Sequence, residues 1–444
     1  MKVLLVRPDL VGTKYSLQRI GLKHQPLGLL YLAASLLEDG HEVIIADELI
    51  GDLATDFIIK HKPDYVGVTS ATPLIERAGT ILKFAKKQGC VTMVGGPHCT
   101  SLPIHAMEVT GADICAMGEA EFTIKEIVAG KPFKDIKGIM YRDENGLLKV
   151  TESRPRLESL DLFPHPARRL LDINRYLNDF ELGFHFEKDQ ICGRIYTSRG
   201  CKYQCSFCAR HVTFGRSIRL RSVESMMDEI IDIQRLWGTR YICFMDDTFT
   251  YDEQRVVDLC KLMIKNKLHI RWSCFARVGL EESTLRIMYQ SGCHLIGYGV
   301  ESGSQKILDF LKKEITLDEI YNTFELTKQI GIRTKAYFMI GLPGEGDEEY
   351  EESVHFIQKL TPDFIVLSIF IPLPGSDLYW NLTDEDMEKY NKHAFFHADN
   401  PRQQRLQIEF FLRTHLRPAF FKTFFTKYTR FEVEEAFRHL LTLG

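Results

Sequence analysis

Three cysteines lie close together in the stretch "RGCKYQCSFCAR", with the spacing C-x3-C-x2-C at positions 201, 205 and 208. Thiolates are soft ligands that suit zinc and iron–sulfur clusters. A structural zinc site would require a fourth protein ligand. Three thiolates around a four-iron cubane would instead leave one iron open to a small molecule. The pattern therefore favours a [4Fe-4S] cluster held by Cys201, Cys205 and Cys208, with a substrate or cofactor as the fourth ligand.

The composition is otherwise that of an ordinary globular protein. The chain has 444 residues, of which 45% are apolar and 26% charged, so two or three domains with sizeable cores are expected. The other cysteines stand singly, as small buried apolar side chains do. A net charge of −4 excludes a protein built to coat nucleic acid. Neither a secretory signal nor an apolar run long enough to span a membrane is visible, and a cytoplasmic location is predicted.

The cysteine loop must be positioned by strands and helices, and these fall into several regions. Over residues 1–135, five short apolar runs alternate with amphipathic helical patterns. Such runs suit strands buried on both faces, and the alternation predicts an α/β, doubly wound, Rossmann-like domain. Residues 136–188 follow as a β-hairpin, with Asn145 and Gly146 at its turn, and a proline-containing linker.

A second alternation covers residues 189–375 and contains six further strand-like runs, beginning at "RIYTSRG". Six βα units predict a partial (βα)6 barrel, with its site at the carboxyl ends of the strands. The cysteine loop directly follows the first of these strands. Residues 376–444 are predicted to be helical and are rich in Phe, Arg and Lys. This tail suits a cap over the barrel, a brace between domains or peripheral contact with a membrane surface.

The motif "CKYQCSFC", with an aromatic residue before its last cysteine, resembles the signature of the radical S-adenosylmethionine (SAM) superfamily. The resemblance implies a partial barrel, and SAM bound to the open iron through its amino and carboxylate groups. In that family an electron from the reduced cluster cleaves SAM to a 5′-deoxyadenosyl radical, which abstracts hydrogen from the substrate. An external electron donor of the flavodoxin or ferredoxin type is therefore expected.

The same resemblance implies SAM-binding roles for residues near the first three barrel strands. Phe207 corresponds to an aromatic residue near the adenine. Asp246 and Asp247, in "FMDDTFT", would accept hydrogen bonds from the SAM ammonium group, although one of them is equally suited to cap the next helix. Arg277, at the end of the third strand, would bind the SAM carboxylate or form a structural ion pair.

Later strand ends imply further contacts. Glu301 and Ser302, in "GVESGSQ", would bind the ribose hydroxyls and the methionine part of SAM, and Gly341, in "MIGLPGE", would allow the backbone to approach the ligand closely. Lys312 and Lys313 are predicted to lie at a solvated helix end. No side chain is singled out as the catalytic residue.

Loops of the first region resemble the cobalamin-binding domain of one radical SAM subfamily, which includes the anaerobic magnesium-protoporphyrin ester cyclase, hopanoid-modifying enzymes and many C- and P-methylases. The motifs are "TSATP", "GGPHCTSLP" and "MGEAE". The implied cobalamin contacts are Ser70, Gly95, Gly96, His98, Gly118 and Glu119. His98 is predicted to be a loop or packing residue rather than a cobalt ligand. The D-x-H-x-x-G run that supplies such a ligand in methionine synthase is absent, which leaves open both a cobalamin domain without a histidine ligand and a cobalamin-free structural domain.

Three functions remain open at this stage. The leading one is transfer of a methyl group from cobalamin to an unactivated carbon of a bulky small-molecule or lipid-like substrate. The second keeps the radical step but ends in ring closure, oxidation, rearrangement or dehydration. The third is a non-enzymatic iron–sulfur scaffold or electron carrier, which would not cleave SAM.

Overall fold

The computed structural model describes residues 1–10, 24–176, 191–383, 405–406, 409–410 and 412–414. The chain divides into two compact units, Met1–Asp179 with Ala209–Arg219, and Phe180–Cys208 with Leu220–Gly444. Each unit is built from helices around a mainly parallel sheet, so the predicted α/β class is confirmed.

The first unit contains a seven-stranded sheet in the order β2-β1-β3-β4-β5-β6-β7. The first five strands pair in parallel, and the last two add an antiparallel hairpin to the β5 edge. The order 2-1-3-4-5 is that of a doubly wound fold, in which ligands bind outside the carboxyl ends of the strands. The strands are β1 (Lys2–Arg7), β2 (Glu42–Asp47), β3 (Tyr65–Thr69), β4 (Val91–Gly95), β5 (Ile114–Ala116), β6 (Ile139–Arg142) and β7 (Leu148–Val150).

Helices cover both faces of this sheet. Because successive strand residues point to opposite faces, Val3 and Leu5 of β1 join one hydrophobic cluster and Leu4 and Val6 join another. This two-sided burial explains the nearly continuous apolar runs of the sequence. The helices are α1 (Leu27–Glu38), α2 (Ala54–His61), α3 (Ile75–Lys87), α4 (Pro97–Ser101), α5 (Pro103–Thr110) and α6 (Glu121–Val128).

A short excursion of the chain also belongs to the first unit. Immediately after Cys208 the chain enters this unit at Ala209, forms α7 (Arg210–Phe214), which packs against α4, and leaves it again after Arg219. Sequence analysis assigned the whole stretch to the barrel region. Within this unit, α7 thus packs against the helix that carries His98.

The second unit contains a six-stranded sheet in the order β15-β14-β13-β12-β11-β8, and every neighbouring pair is parallel. Sequential parallel strands joined by helices are the arrangement expected of a partial (βα)6 barrel. The strands are β8 (Cys192–Ile195), β11 (Tyr241–Phe244), β12 (Arg271–Ala276), β13 (Cys293–Glu301), β14 (Arg333–Ile340) and β15 (Phe364–Ile369), with the short strands β9 (Ser198–Arg199) and β10 (Arg219–Leu220) beside the cysteine loop in sequence.

The helices of this unit pack on one face of the sheet. Ile242 and Phe244 of β11 join the large cluster on the helix side, whereas Tyr241 and Cys243 join a small cluster on the other face. The helices are α8 (Val223–Trp237), α9 (Glu253–Lys265), α10 (Glu282–Gln290), α11 (Gln305–Phe310), α12 (Leu317–Ile330), α13 (Asp347–Leu360) and α14 (Asp377–Asn381).

Most of the predicted helical tail lies outside the described residues. Within it, Phe410 is fully buried against Phe338 of β14 and Tyr350 of α13, so this part of the tail completes the core of the second unit. No helix in the described ranges is long and apolar enough to cross a membrane.

Candidate functional site

The cysteine loop is held by backbone hydrogen bonds at its centre. Ser206 N donates to Leu311 O (2.9 Å), and Leu378 N donates to Ser206 O (2.9 Å). The Ser206 hydroxyl donates to Phe310 O (3.4 Å). Residues that follow β13 and β15 thus support the loop from two sides.

All three cysteines of the loop are free and half-buried. Burial raises the pKa of the Cys201 thiol, a hydrogen bond with the Tyr203 backbone lowers it, and the charges of Asp247 and Arg277 raise and lower it respectively. The ends of β11 and β12 therefore bring one acidic and one basic side chain into electrostatic range of Cys201.

The donor set fits an iron–sulfur cluster better than a single metal ion. Among the described residues, no group of three or more His, Cys, Asp or Glu side chains could hold one metal ion. In a cluster, by contrast, each cysteine binds a different iron, so the three thiols need not converge on one point. Three soft thiolates on one loop supply three of the four corners.

Arg277 contacts the cysteine loop directly. Its guanidinium carbon lies 3.9 Å from the centroid of the Tyr203 ring, in a cation–π contact. Its Nη2 also donates to the backbone carbonyl of Glu314 (3.1 Å). The guanidinium group thus joins two chain segments, and neither partner is the carboxylate of a structural ion pair.

The two neighbouring aspartates have different environments. Asp246 is buried and accepts hydrogen bonds from Thr197 N (2.9 Å), Thr197 Oγ1 (3.0 Å) and Ser198 Oγ (2.5 Å). Burial raises the pKa of Asp246, and the nearby Arg255 charge opposes that rise. Asp246 thus fixes the chain that leads into the cysteine loop, whereas the half-buried Asp247 acts on Cys201. Neither caps α9, because Asp252 occupies that position and accepts from Arg255 N.

Glu301 forms a buried ion pair with Lys313. Lys313 Nζ lies 2.8 Å from Glu301 Oε1, and 5.8 Å from the centre of the Phe207 ring. The prediction that Lys313 is solvated is therefore wrong, although Lys312 is exposed. Glu301 has a φ of +72°, which is rare for a residue with a side chain and is found where the surrounding structure imposes it.

Ser302 and Phe207 lie beside this pair in different ways. Ser302 is fully buried, contacts Ser353 Oγ (3.1 Å) and accepts from Ser304 N (3.1 Å), so its hydroxyl shapes the turn into α11. Phe207 packs against an apolar cluster that includes Leu311 and Leu342. Its ring is thus held in place beside the cysteines.

The turn after β14 is closed by a carboxylate that sequence analysis did not single out. Gly341 has a φ of +76°, a conformation that favours glycine, and both Gly341 N and Leu342 N donate to Glu345 Oε2. Glu345 Oε1 is buried and has no hydrogen-bond partner among the described residues. Burial raises the pKa of Glu345 to about 7.

In the first unit, the loops after β3 and β4 pack tightly on each other. Gly96 has a φ of +106°, and a Cβ there would lie 2.8 Å from Ser70 O. Ser70 N donates to Gly95 O (2.8 Å), and the buried Ser70 hydroxyl donates to Ala71 O (3.0 Å). Ser70 and Gly96 therefore set the shape of the carboxyl edge of the sheet.

His98 is buried, and both ring nitrogens have partners. Nδ1 lies 3.1 Å from Thr72 Oγ1, and Nε2 lies 3.0 Å from His105 Nδ1. Burial and the neighbouring His105 lower the pKa of His98 to about 4. In this arrangement the imidazole has no nitrogen free for a metal.

Two residues of the β5 loop differ in accessibility. Glu119 forms a buried bidentate ion pair with Arg219, which ties the Ala209–Arg219 excursion to the first unit. Gly118 N donates to Thr100 Oγ1 (3.0 Å), which fixes the backbone of the loop. A Cβ at Gly118 would meet nothing within 4 Å, so there is open space beside this backbone. The open space beside Gly118 suits a large ring packed against backbone, so this edge fits cobalamin bound without a histidine ligand.

Some of these residues carry no distinctive sequence signal. Nothing local separates Lys313 from Lys312, and Arg219 lies 100 positions from Glu119 in the chain. Glu345 could have been singled out from the sequence, because it ends the motif "MIGLPGE" and follows two glycines that mark a turn.

Fold and site together define a two-part α/β enzyme. A doubly wound domain accompanies a partial barrel that carries a three-cysteine loop at the ends of its strands. Family models agree with this division: the radical SAM superfamily matches residues 195–357, and the B12 binding domain matches residues 14–128.

Similar proteins extend over most of the chain. An uncharacterized methyltransferase of Pyrococcus horikoshii is 35% identical over 392 residues, covering 85% of this chain and 82% of that protein. The anaerobic magnesium-protoporphyrin IX monomethyl ester cyclase of Rubrivivax gelatinosus is 29% identical over 413 residues, covering 88% and 72%. The chain belongs to the B12-binding subfamily of the radical SAM superfamily, and it is an enzyme of this kind.

Solved structures share the fold. The cobalamin-dependent SAM radical enzyme OxsB, with aqua-cobalamin and SAM bound, matches with a TM-score of 0.75 and 18% identity over 99% of this chain and 72% of that chain. The radical SAM methyltransferase TsrM of Kitasatospora setae, with tryptophan substrate and a SAM analogue bound, matches with a TM-score of 0.67 and 19% identity, covering 85% and 75%.

Proposed function

We propose that this chain is a cobalamin-dependent radical SAM methyltransferase that acts on an unactivated carbon of a bulky small-molecule substrate. The observation that carries the proposal is the half-buried loop with Cys201, Cys205 and Cys208, which lies within electrostatic range of Asp247 and Arg277. The chain is also 35% identical to an uncharacterized methyltransferase, which favours methyl transfer over other radical outcomes.

When bound, the cluster and SAM supply a carbon radical and cobalamin supplies the methyl group. The three cysteines would hold the cluster and would leave one iron for SAM. Asp247 would accept from the SAM ammonium group, Glu301 would face the ribose, and Phe207 would border the adenine. Asp246 and Ser302 act as supports, since their polar atoms are occupied within the protein.

In the first unit, the chain would hold a corrin ring mainly through backbone. Gly95, Gly96 and Gly118 present backbone at the carboxyl edge of the sheet, and Ser70 fixes the shape of the loops. Both ring nitrogens of His98 are hydrogen-bonded, to Thr72 and to His105, so His98 would not serve as a cobalt ligand.

The test is anaerobic reconstitution of the full chain with iron, sulfide and hydroxocobalamin, followed by incubation with SAM and a reductant. Formation of 5′-deoxyadenosine and a cobalamin absorption spectrum are expected. Cys205→Ala should abolish cluster and turnover together, whereas Cys90→Ala, at a buried cysteine of the first unit, should retain the cluster. An intact cluster without any 5′-deoxyadenosine would instead support an electron carrier.

A second candidate is ring closure or another oxidation without methyl transfer. It is favoured by the 29% identity to a cyclase over 88% of this chain. Product mass separates the two: a gain of one methylene supports methyl transfer, and a loss of two hydrogens or of water supports the second function. We further propose a cytoplasmic location, because the thiolates require a reducing compartment. The proposal also includes an external electron donor of the flavodoxin or ferredoxin type.

A further inference from the structure

The segment 310–314, called here the 310–314 turn, lies along the cysteine loop. Phe310 O and Leu311 O accept hydrogen bonds from Ser206 in the centre of the loop, and Lys313 lies over the Phe207 ring. Glu314 O accepts from Arg277. One short segment of chain thus contacts three separate points of the cysteine loop or of its supports.

The backbone of this turn adopts conformations that cost free energy. Lys312 and Glu314 both have a φ of +53°, in the left-handed region that residues with side chains rarely occupy. Such conformations persist where surrounding contacts impose them, and they cluster at functional sites. Within the turn, Lys312 N donates to Asp309 O and Lys313 N donates to Leu308 O, and Arg277 holds the carbonyl group of Glu314.

Arg277 contacts both the cysteine loop and the 310–314 turn. Its guanidinium group stacks on Tyr203 at 3.9 Å, two residues after Cys201, while its Nη2 holds Glu314 O. A guanidinium group can do both at once because its planar face stacks while its N–H groups donate in the plane. Lysine offers the charge without this combination.

We propose that Arg277 is a positioning residue for the cysteine loop, which couples Tyr203 to the 310–314 turn and raises the reduction potential of the cluster through its positive charge. The potential rises because reduction adds negative charge to the cluster, and a nearby cation stabilises that charge. This inference rests on the proposed iron–sulfur function, and it assigns Arg277 a role other than binding the SAM carboxylate.

The experiment compares Arg277→Gln, Arg277→Lys, Tyr203→Leu and the double variant Tyr203→Leu/Arg277→Gln in the anaerobically reconstituted full chain. Cluster loss to a chelator and the midpoint potential are measured without SAM. Both Arg277→Gln and Tyr203→Leu should lose the cluster about 2- to 30-fold faster, the range of a cation–π contact. The double variant should lose the cluster no faster than Arg277→Gln alone, because that substitution already removes the contact with Tyr203. Arg286→Gln, at an exposed arginine of α10, is the matched control.

The midpoint potential of the cluster distinguishes the effect of the Arg277 charge from the effect of its stacking on Tyr203. Arg277→Gln should shift it to a more negative value, and Arg277→Lys should keep it near the wild-type value while still losing the cluster faster. Wild-type retention and potential in Arg277→Gln, with only a raised KM for SAM, would overturn the inference, and so would additive effects of the two substitutions. A wild-type chain that binds no cluster would overturn the proposed function itself. Circular dichroism melting of the apo-protein checks that each variant folds.

Discussion

Lys313 Nζ lies 2.8 Å from Glu301 Oε1, and their side chains keep only 10% and 11% of their exposure to solvent. The pair fills the space beside Gly299, where a Cβ would lie 2.6 Å from Glu301 Oε1 and 2.8 Å from Lys313 Nζ. The carboxylate that is proposed to face the ribose is therefore held by a charge partner and by the shape of β13.

Lys313→Met should destabilise the protein, because it leaves the Glu301 carboxylate without its cation. Removing one partner of a buried ion pair typically costs about 3–5 kcal/mol, whereas removing both is far less costly. Urea unfolding of the single variant and of Lys313→Met/Glu301→Gln measures the difference. Lys137→Met, at an exposed lysine paired with the exposed Glu152, is the control and should change stability little. Equal losses in the single and double variants would contradict the role of the pair.

Asp246→Asn should mainly lower the stability of the protein, whereas Asp247→Asn should mainly raise the KM for SAM. Asp246 accepts three hydrogen bonds in the core, so its substitution should leave donors of Thr197 and Ser198 unsatisfied, lower the free energy of unfolding by about 1–3 kcal/mol and reduce cluster content. Asp247→Asn should leave stability nearly unchanged and raise the KM for SAM. Unfolding curves and SAM-cleavage kinetics decide between them, and a large stability loss in Asp247→Asn would exclude the proposed division of roles.

His98 should stay neutral well below its ordinary pKa. Since its pKa in the folded protein is about 4 and the ordinary value is 6.5, the unfolded chain binds more protons between these values. The free energy of unfolding should therefore fall as the pH drops from about 6.5 to about 4, by up to about 1.4 kcal/mol per pH unit. His98→Gln should reduce this slope, and His269→Gln, at an exposed histidine, should not. Chemical unfolding at pH 7 and pH 5 measures it; equal slopes in all three proteins would refute the assignment.

Glu345 should have the opposite pH dependence. Burial raises its pKa from 4.5 to about 7, so the folded protein keeps a proton that the unfolded chain has lost. Stability should therefore decrease as the pH rises from about 4.5 to about 7, and the loss should persist above that range. Glu345→Gln keeps an acceptor for Gly341 N and Leu342 N without the charge, so it should be more stable than wild type at pH 8. Glu348→Gln, at an exposed position, is the control, and a less stable Glu345→Gln at pH 8 would contradict the prediction.

Sequence by itself determined those features that depend on local spacing. The cysteine motif is contained in eight residues, and the alternation of buried runs with amphipathic helices follows from the period of each element. The same is true of the hairpin, although its turn differs from the simple Asn-Gly form. Gly146 has the left-handed conformation, Asn145 does not, and the Asp143 side chain accepts from Asn145 N and Leu147 N, so the loop is longer than two residues.

Only the tertiary structure decided which polar side chains are buried and which distant segments supply their partners. Asp246 and Asp247 are adjacent and chemically identical, yet Asp246 is fully buried and accepts from Thr197 and Ser198, which lie 49 and 48 positions away in the chain. Lys313 becomes a buried partner of Glu301 and Arg219 a partner of Glu119 for the same reason. A residue type and its local period specify what a side chain is able to do, but its solvent exposure and its partners depend on distant segments that meet only in the folded chain.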